Sequence, residues 1–285
     1  MAGITPQMVK TLREKTGAGM GDCKKALDDA DGDMNLAIEI LRKKGAASAA
    51  KRADRSAKEG TIAALTTPDG KKAVIIEVNS ETDFVARNEN FVNYVNSVAL
   101  ALLNNNAQTI DELMELKIEN DTIKGMHNEI LAKFGEKIEI RRFETLTTNG
   151  YFAEYIHAGS KLAVLVEVSA ETINEKAHGL IRDIAMQIAA MNPQFIDRSF
   201  VTQDTIQKEI EIYKQQAIDS GKKPELAERI ATGKLDKFFQ EQCLVEQTFV
   251  KDSNKVISDV IKEISAETGS EVKINSFRRY YLGEE

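Results

Sequence analysis

One stretch of this chain is present twice, and any fold it adopts must house both copies. Gly60 to Ala101 aligns without a gap on Gly150 to Met191, at a constant offset of 90 positions. Ala73-Val74-Ile75-Ile76-Glu77-Val78 matches Ala163-Val164-Leu165-Val166-Glu167-Val168, and Ser80-Glu81-Thr82 matches Ala170-Glu171-Thr172. The β-branched apolar runs suit buried strands. The residues after them, Phe91, Tyr94, Val95 and Val98 against Ile181, Ile184, Ala185 and Ile188, are spaced like one face of a helix. In each copy Gly60 or Gly150 opens an earlier strand, closed by Thr67-Pro68-Asp69-Gly70 or Ala158-Gly159-Ser160 as a turn. The expected fold is therefore α+β, a duplicated strand-strand-helix core whose two units pack side by side.

The copies part at the strand-to-helix junction, where Asp83-Phe84 faces Ile173-Asn174. Phe84 lies between Asp83 and Arg87, off the period of either element. It is either a staple holding the junction or a tooth for a partner, and most aromatics belong to cores. A staple that the unit needs would stay apolar in the second copy. Asn174 stands there instead, so the apex of copy one reads as an exposed addition.

Around this core, 285 residues allow two or three domains, and 42% hydrophobic with 29% charged residues is ordinary for a globular protein. No apolar run approaches a membrane span and the start lacks a signal-peptide pattern, so a cytoplasmic location is expected. Cys23 and Cys243 fit neither a disulfide framework nor a zinc pattern and read as buried thiols. Residues 1–59 carry 12 basic and 9 acidic side chains, the remainder 26 and 36. Arg42-Lys43-Lys44, Lys51-Arg52, Arg55 and Lys58 concentrate the positive charge. Without interleaved aromatics this reads as a solvated helix end running into a linker rather than a nucleic-acid arm.

The first domain, 1–55, reads as a three-helix bundle with that basic linker. Thr5-Pro6 starts one helix over Met8, Val9 and Leu12. Gly17-Ala18-Gly19-Met20-Gly21 is a turn, Asp22 is expected to cap a helix carrying Ala26 and Leu27, and Met34, Ala37, Ile38 and Leu41 line a third. Gly17-x-Gly19-x-Gly21 lacks the strand and spacing of a dinucleotide loop. Asp29-x-Asp31-x-Asp33 starts like a calcium loop, but Met34 and Ile40 hold its glycine and glutamate positions. The core falls at 56–145 for copy one and 146–285 for copy two. Ile110 to Leu131 reads as a helix and Lys137 to Phe143 as a strand ending in Arg141-Arg142. Within copy two, at about 200–245, Ile206, Ile210, Tyr213 and Ala217, then Gly221-Lys222-Lys223-Pro224, then Leu226, Ile230, Leu235 and Phe238 spell an antiparallel helical hairpin. Its narrow stripe and charged flanks favour a projecting coiled-coil arm. Ser253 is placed as the cap of a further helix through Val256, Val260 and Ile264, and Val272 to Leu282 as a closing strand.

No chemistry of the chain's own is evident, and no enzyme is expected. His127, His157 and His178 fall in separate elements, with no nucleophile elbow, no metal spacing and no phosphate-binding lysine loop. No cofactor or metal is implied. Met20 is a flexible apolar side chain in a glycine-rich loop, suited to contact with a partner.

The run TDFVARN with the preceding VNSE, residues 78–88, resembles a signature of bacterial elongation factor Ts, the nucleotide-exchange factor of elongation factor Tu. TGAGMGDCKKAL, residues 16–27, is similar to that family's other signature, and the resemblance covers nearly the whole chain in order. It implies a UBA-like N-terminal bundle that grips the G domain of elongation factor Tu through Lys10, Arg13 and Met20. It implies further that Phe134, Gly135 and His157 hold that partner's third domain. By the same resemblance, Thr82, Asp83, Phe84 and Val85 are expected to form the apex that dislocates the partner's magnesium, after which GDP leaves and GTP can bind. Lys137 stands where an asparagine is common in the family. Many members carry a further helical module where this sequence runs out at Gly283-Glu284-Glu285, so anchoring by that module is not carried over. Neither a membrane nor a direct nucleic-acid partner is implied, and a homodimer or a 2:2 complex with GDP-bound or nucleotide-free elongation factor Tu is left open. The alternative is a non-catalytic adaptor or RNA-associated scaffold docking through the basic linker and bundle.

Overall fold

In a computed structural model the described residues are 4–50, 52, 54–118 and 121–284; Lys51 of the basic stretch and Glu285 at the end of the sequence lie outside them. Three helices come first, α1 (Pro6–Thr16), α2 (Met20–Asp29) and α3 (Met34–Ala50). The Thr5 side chain accepts from the Met8 amide, and Gly17, at φ 68°, ends α1 in the left-handed conformation that glycine tolerates. Val9, Leu12, Cys23, Ala26, Leu27, Ala37 and Leu41 form a buried cluster between them. Asp22 does not cap α2. Extended Gly19 takes that position, the helix starts at Met20, and Asp22 sits inside its first turn, where its carboxylate receives Lys44 Nζ at 2.5 Å.

Copy one comprises β1 (Glu59–Thr66), β2 (Lys72–Ser80), α4 (Asp83–Ala86), α5 (Glu89–Asn104), α6 (Ile110–Met114), β3 (Lys117–Ile118), β4 (Asp121–Thr122), α7 (Ile123–Phe134) and β5 (Ile138–Thr147). The helix expected over Ile110 to Leu131 is thus two helices separated by a small hairpin. Each has its own cap, the Thr109 side chain accepting from the Glu112 amide and the Thr122 side chain from the Gly125 amide, so the chain must leave the helix between them. Strand β5 does not stop at Arg141-Arg142 but pairs with β2 out to Thr147.

Copy two comprises β6 (Tyr151–Ile156), β7 (Leu162–Val168), α8 (Glu175–Met191), α9 (Gln203–Asp219), α10 (Pro224–Gln242), β8 (Thr248–Phe249), β9 (Asp252–Val256), α11 (Ile257–Thr268) and β10 (Ile274–Tyr281). Ser253 lies in β9 and caps nothing. Helix α11 begins only at Ile257, where the Asp259 carboxylate accepts from the Val256 amide. Helices α9 and α10 pack along each other through Ala217, Ala227 and Ala231, and Val201, Phe239 and Cys243 anchor their base. Leu226, expected on the seam, is exposed because Ala227 takes its place.

Two antiparallel sheets, ordered β1-β2-β5 and β10-β7-β6, explain the unbroken apolar runs. One set of alternating residues, Ile62, Ala64, Ala73 and Ile75, meets Phe152, Ala163, Leu165 and Tyr280 of the other sheet. The intervening set faces outward onto helices: Ala63, Val74, Ile76 and Val78 onto α5 and α7, and Ala153, Val164, Val166 and Val168 onto α8 and α11. Both faces of both sheets are therefore covered, and strict polar alternation is lost.

The duplication also runs further than the ungapped alignment. The small hairpin, the helix, its left-handed glycine and the third strand recur as β3-β4-α7-Gly135-β5 and β8-β9-α11-Gly269-β10. Even a bulge is repeated, in β5 between the partners of Glu77 and Val78, and in β10 between Ile274 and Ser276. The glutamates opposite differ in partners. Glu77 is fully buried and takes Arg142 Nε at 2.8 Å and the Gly283 amide at 2.9 Å; Glu167 takes the hydroxyls of Thr148 and Ser276 at 2.6 and 2.7 Å.

The bundle sits on copy one by laying α3 along α7. At Gly45 the two backbones approach so closely that an added Cβ would stand 2.8 Å from Ala132 Cβ and 3.0 Å from Asn128 O. Alanine in mid-helix normally gains about 1 kcal/mol over glycine, but overpacking costs about 1–3 kcal/mol. Gly45→Ala should therefore push the bundle off α7, and faster proteolysis of the connection after α3 would report it; cleavage at the wild-type rate would contradict the seat described.

Tyr94 Oη and His127 Nδ1 lie 2.7 Å apart where α5 meets α7. Burial pushes the imidazole down to about 4 from its ordinary 6.5. The folded state therefore holds His127 neutral; this contribution is complete above pH 6.5 and drains as pH falls from there toward 4. Between pH 7 and 5 the loss is about 2 kcal/mol. In urea unfolding, His127→Gln should lose less stability than wild type over that interval by about this amount, and equal losses would refute the assignment.

Candidate functional site

The apex of copy one is a single helical turn set apart from the helix that follows. After β2, Ser80 Oγ donates to Thr82 O at 3.0 Å, and the Thr82 hydroxyl accepts from the Val85 amide, starting α4. Val85 and Ala86 turn inward and are buried, and Thr61 Oγ1 donates to Ala86 O at 3.2 Å. The chain then breaks at Arg87, and Asn88 caps α5 by accepting from the Asn90 amide. Copy two has no such break, since α8 starts at Glu175 and runs straight through the equivalent positions, Ala177 and His178.

Phe84 points away from this platform and is 85% exposed; no other large apolar side chain among the described residues passes 53%. That rules out the staple. A phenylalanine left in water forgoes roughly 1.5–3 kcal/mol of burial, so the ring does nothing to hold the turn that carries it. Beside it the Asp83 carboxylate, partly exposed, meets Nη2 of the largely solvated Arg87 at 3.3 Å.

Two carboxylates tie the apex to the α7–β5 junction. Glu136 accepts from the Thr82 amide at 3.1 Å and from the Thr82 hydroxyl at 2.9 and 3.0 Å. In the opposite sense Glu81 accepts from the Lys137 amide at 2.6 Å and faces Arg55 Nη1 at 3.3 Å. The Lys137 amide is the main reason that the Glu81 carboxyl lies below its usual range. Gly135, left-handed at φ 68°, closes α7 and turns the chain so that Glu136 can reach Thr82; Phe134 before it is half-buried against the core of copy one. The lysine at 137 leaves this junction intact, because its backbone makes the contact while Nζ pairs with Glu139 at 2.8 Å.

His157 stands exposed in the turn after β6, with Nδ1 at 3.0 Å from Tyr155 Oη. That turn is fastened to copy one beside the apex. The Ile62 amide donates to Ser160 O at 2.7 Å, Lys161 Nζ meets Glu59 at 2.6 Å, and Glu59 pairs with Ser80 at the end of β2. The bundle reaches the same neighbourhood through Gly17, which abuts the side chain of Lys133 at the end of α7. Lys10, Arg13 and Met20 are exposed on it, Met20 at 46%.

Of the residues nominated from sequence, Asp83, Phe84, His157, Lys10, Arg13 and Met20 thus present side chains to solvent. Val85 is buried and Thr82 is occupied within the chain, so these two hold the apex in place. Sequence reasoning missed Glu81, Glu136 and Arg55. Nothing in the repeat pointed to the two carboxylates: Glu81 recurs as Glu171 in copy two, and Ser270, which answers Glu136, lies beyond the ungapped alignment.

The family model described as elongation factor TS matches residues 81–284. Elongation factor Ts of Chloroherpeton thalassium is 47% identical over 100% of both chains. Those of Clostridium kluyveri and Prosthecochloris aestuarii are 46% and 45% identical, each over 99% of this chain and over 93% and 100% of their own.

The two faces of the apex should separate on thermal unfolding. Phe84→Ala should change stability by no more than about 0.5 kcal/mol, whereas Val85→Ala, next to it but buried, should cost roughly 1–3 kcal/mol. A comparable loss in both would mean that Phe84 is a structural residue.

Proposed function

The chain belongs to the elongation factor Ts family and is a factor of translation elongation, and from that premise we propose that it is a guanine-nucleotide exchange factor acting on elongation factor Tu. In this reading it works in the cytoplasm, without a cofactor or chemical active site of its own. Its parts are a UBA-like bundle at 1–55, core copies at 56–145 and 146–285, and a coiled-coil arm at about 200–245. Lys10, Arg13 and Met20 dock the G domain, Phe134, Gly135 and His157 hold the third domain, and the apex Thr82-Asp83-Phe84-Val85 is pressed between.

The logic is thermodynamic. A factor that releases GDP must bind the nucleotide-free partner more tightly than the loaded one, and by linkage the nucleotide weakens the factor equally. A shift of about 10⁴ needs a differential near 5.5 kcal/mol, and burying one phenylalanine supplies about 1.5–3 kcal/mol. The wedge therefore acts with the two flanking contacts. Magnesium demands near-ideal octahedral geometry, so a ring forced beside its ligands displaces the ion. GDP left without its cation is poorly neutralised and departs.

The observation that carries this reading is the exposure of Phe84 on a short turn fastened on either side, at Thr82 by Glu136 and at Val85 and Ala86 by burial. The scaffold alternative fares worse, because Arg42, Lys44 and Arg55 of the basic stretch face Glu129, Asp22 and Glu81 within the chain.

Stopped-flow release of a fluorescent GDP analogue from elongation factor Tu tests it. Phe84→Ala should slow release at saturating factor by at least about tenfold, the equivalent of 1.4 kcal/mol; an unchanged rate would remove the wedge. Asn174→Phe, at the matching position of copy two, should add no activity.

A further inference from the structure

The two copies fasten the same junction with different residues. In copy two Asn174, the residue at the position of Phe84, does this itself: its side chain accepts from the Ala177 amide and donates to Glu267 O at 3.1 Å, in the last turn of α11. Nothing at that position is left to project. In copy one the fastening has moved back along the chain to Glu81 and Thr82, which cross over to Lys137 and Glu136 beyond the end of α7. The matching residues of copy two make no such pair, since Thr172 is exposed and Ser270 stands where Glu136 would.

We infer that Glu136 is a positioning residue for the Phe84 wedge: its carboxylate, clasping the amide and hydroxyl of Thr82, relieves position 84 of any fastening duty and holds the apex rigid against the Phe134–Gly135 junction. The inference rests on the exchange-factor reading for what the wedge does, but not for what holds it. Two charge-assisted donors, the Thr82 amide and the single hydroxyl proton shared between both carboxylate oxygens, hold more strongly than the neutral cap that remains, the 3.4 Å bond from the Val85 amide to the Thr82 hydroxyl. Glu136 also joins two contacts into one body. The junction it grips is next to Phe134 and Gly135, so a load taken up there reaches Phe84 through one side chain. Loss of the clasp would leave the ring present but loosely aimed, and misplacement by about 1 Å can cost on the order of 100-fold in rate.

Hydrogen exchange on the free protein tests the clasp separately from the wedge. In Glu136→Ala the amides of Val85, Ala86 and Arg87 should exchange at least about tenfold faster while those of β2 and α5 keep their protection; Glu136→Gln, which keeps an acceptor, should restore most of it. If Glu136→Ala does not fold, Glu136→Asp, one methylene shorter, takes its place. Unchanged protection at those three amides would overturn the inference, whatever the exchange assay gives. In stopped flow, Glu136→Ala should lower the saturating GDP-release rate about tenfold or more while the half-saturating concentration moves by less than about threefold, and the double variant with Phe84→Ala should be no slower than Phe84→Ala alone. A loss confined to half-saturation would make Glu136 a docking residue and contradict the positioning role. Loosened amides together with an inert Phe84→Ala would uphold the clasp and discard the wedge.

Discussion

Everything in this protein is hung on two small sheets that bury both of their faces. Ile62, Ala64, Ala73 and Ile75 press against Phe152, Ala163, Leu165 and Tyr280, and the alternate residues press outward against helices. A three-stranded sheet alone has too little area for a core, and its duplicate supplies the missing cover. The price is register: a slip of one residue would exchange the helix-facing set for the sheet-facing set. Fixed register is also what gives the apex a fixed place, because β2 runs straight into it and β5 brings the α7 junction alongside.

That rigidity bears on function through arithmetic rather than shape. In the proposed exchange reaction, one aromatic ring cannot supply the differential binding that nucleotide release would demand. Several contacts must report to a common frame, so that closing one strains another. Here the frame is continuous: the His157 turn is bonded to β1, β1 pairs with the end of β2, and the apex is clasped to the end of α7, on which the bundle rests. Among the described residues the long hairpin is anchored at its base by Val201, Phe239 and Cys243, away from this chain of contacts.

Much of the frame was legible in the sequence, for physical reasons. The apolar runs at 73–78 and 163–168 mark strands covered on both sides, and the ungapped offset of 90 exposes the duplication directly. The second half of each repeat was hidden because α9 and α10 are inserted into one copy, which destroys the constant offset just where β8, β9, α11 and β10 answer β3, β4, α7 and β5. Local capping misled at Asp22 and Ser253, since a suitable side chain is only one of several ways to begin a helix and Gly19 and Asp259 served instead. Phe84 was found by contrast with Asn174. Glu136 was not, because a carboxylate that acts 54 residues away leaves no trace in periodicity.

In the proposed mechanism the Phe84 ring is surplus to its own protein and aimed at the metal site of another. A photo-crosslinking side chain placed at position 84 and irradiated in the complex with nucleotide-free elongation factor Tu tests it most directly. The crosslink should land on the partner beside its magnesium and phosphate site; one within the factor's own chain, or on a distant surface of the partner, would refute the wedge.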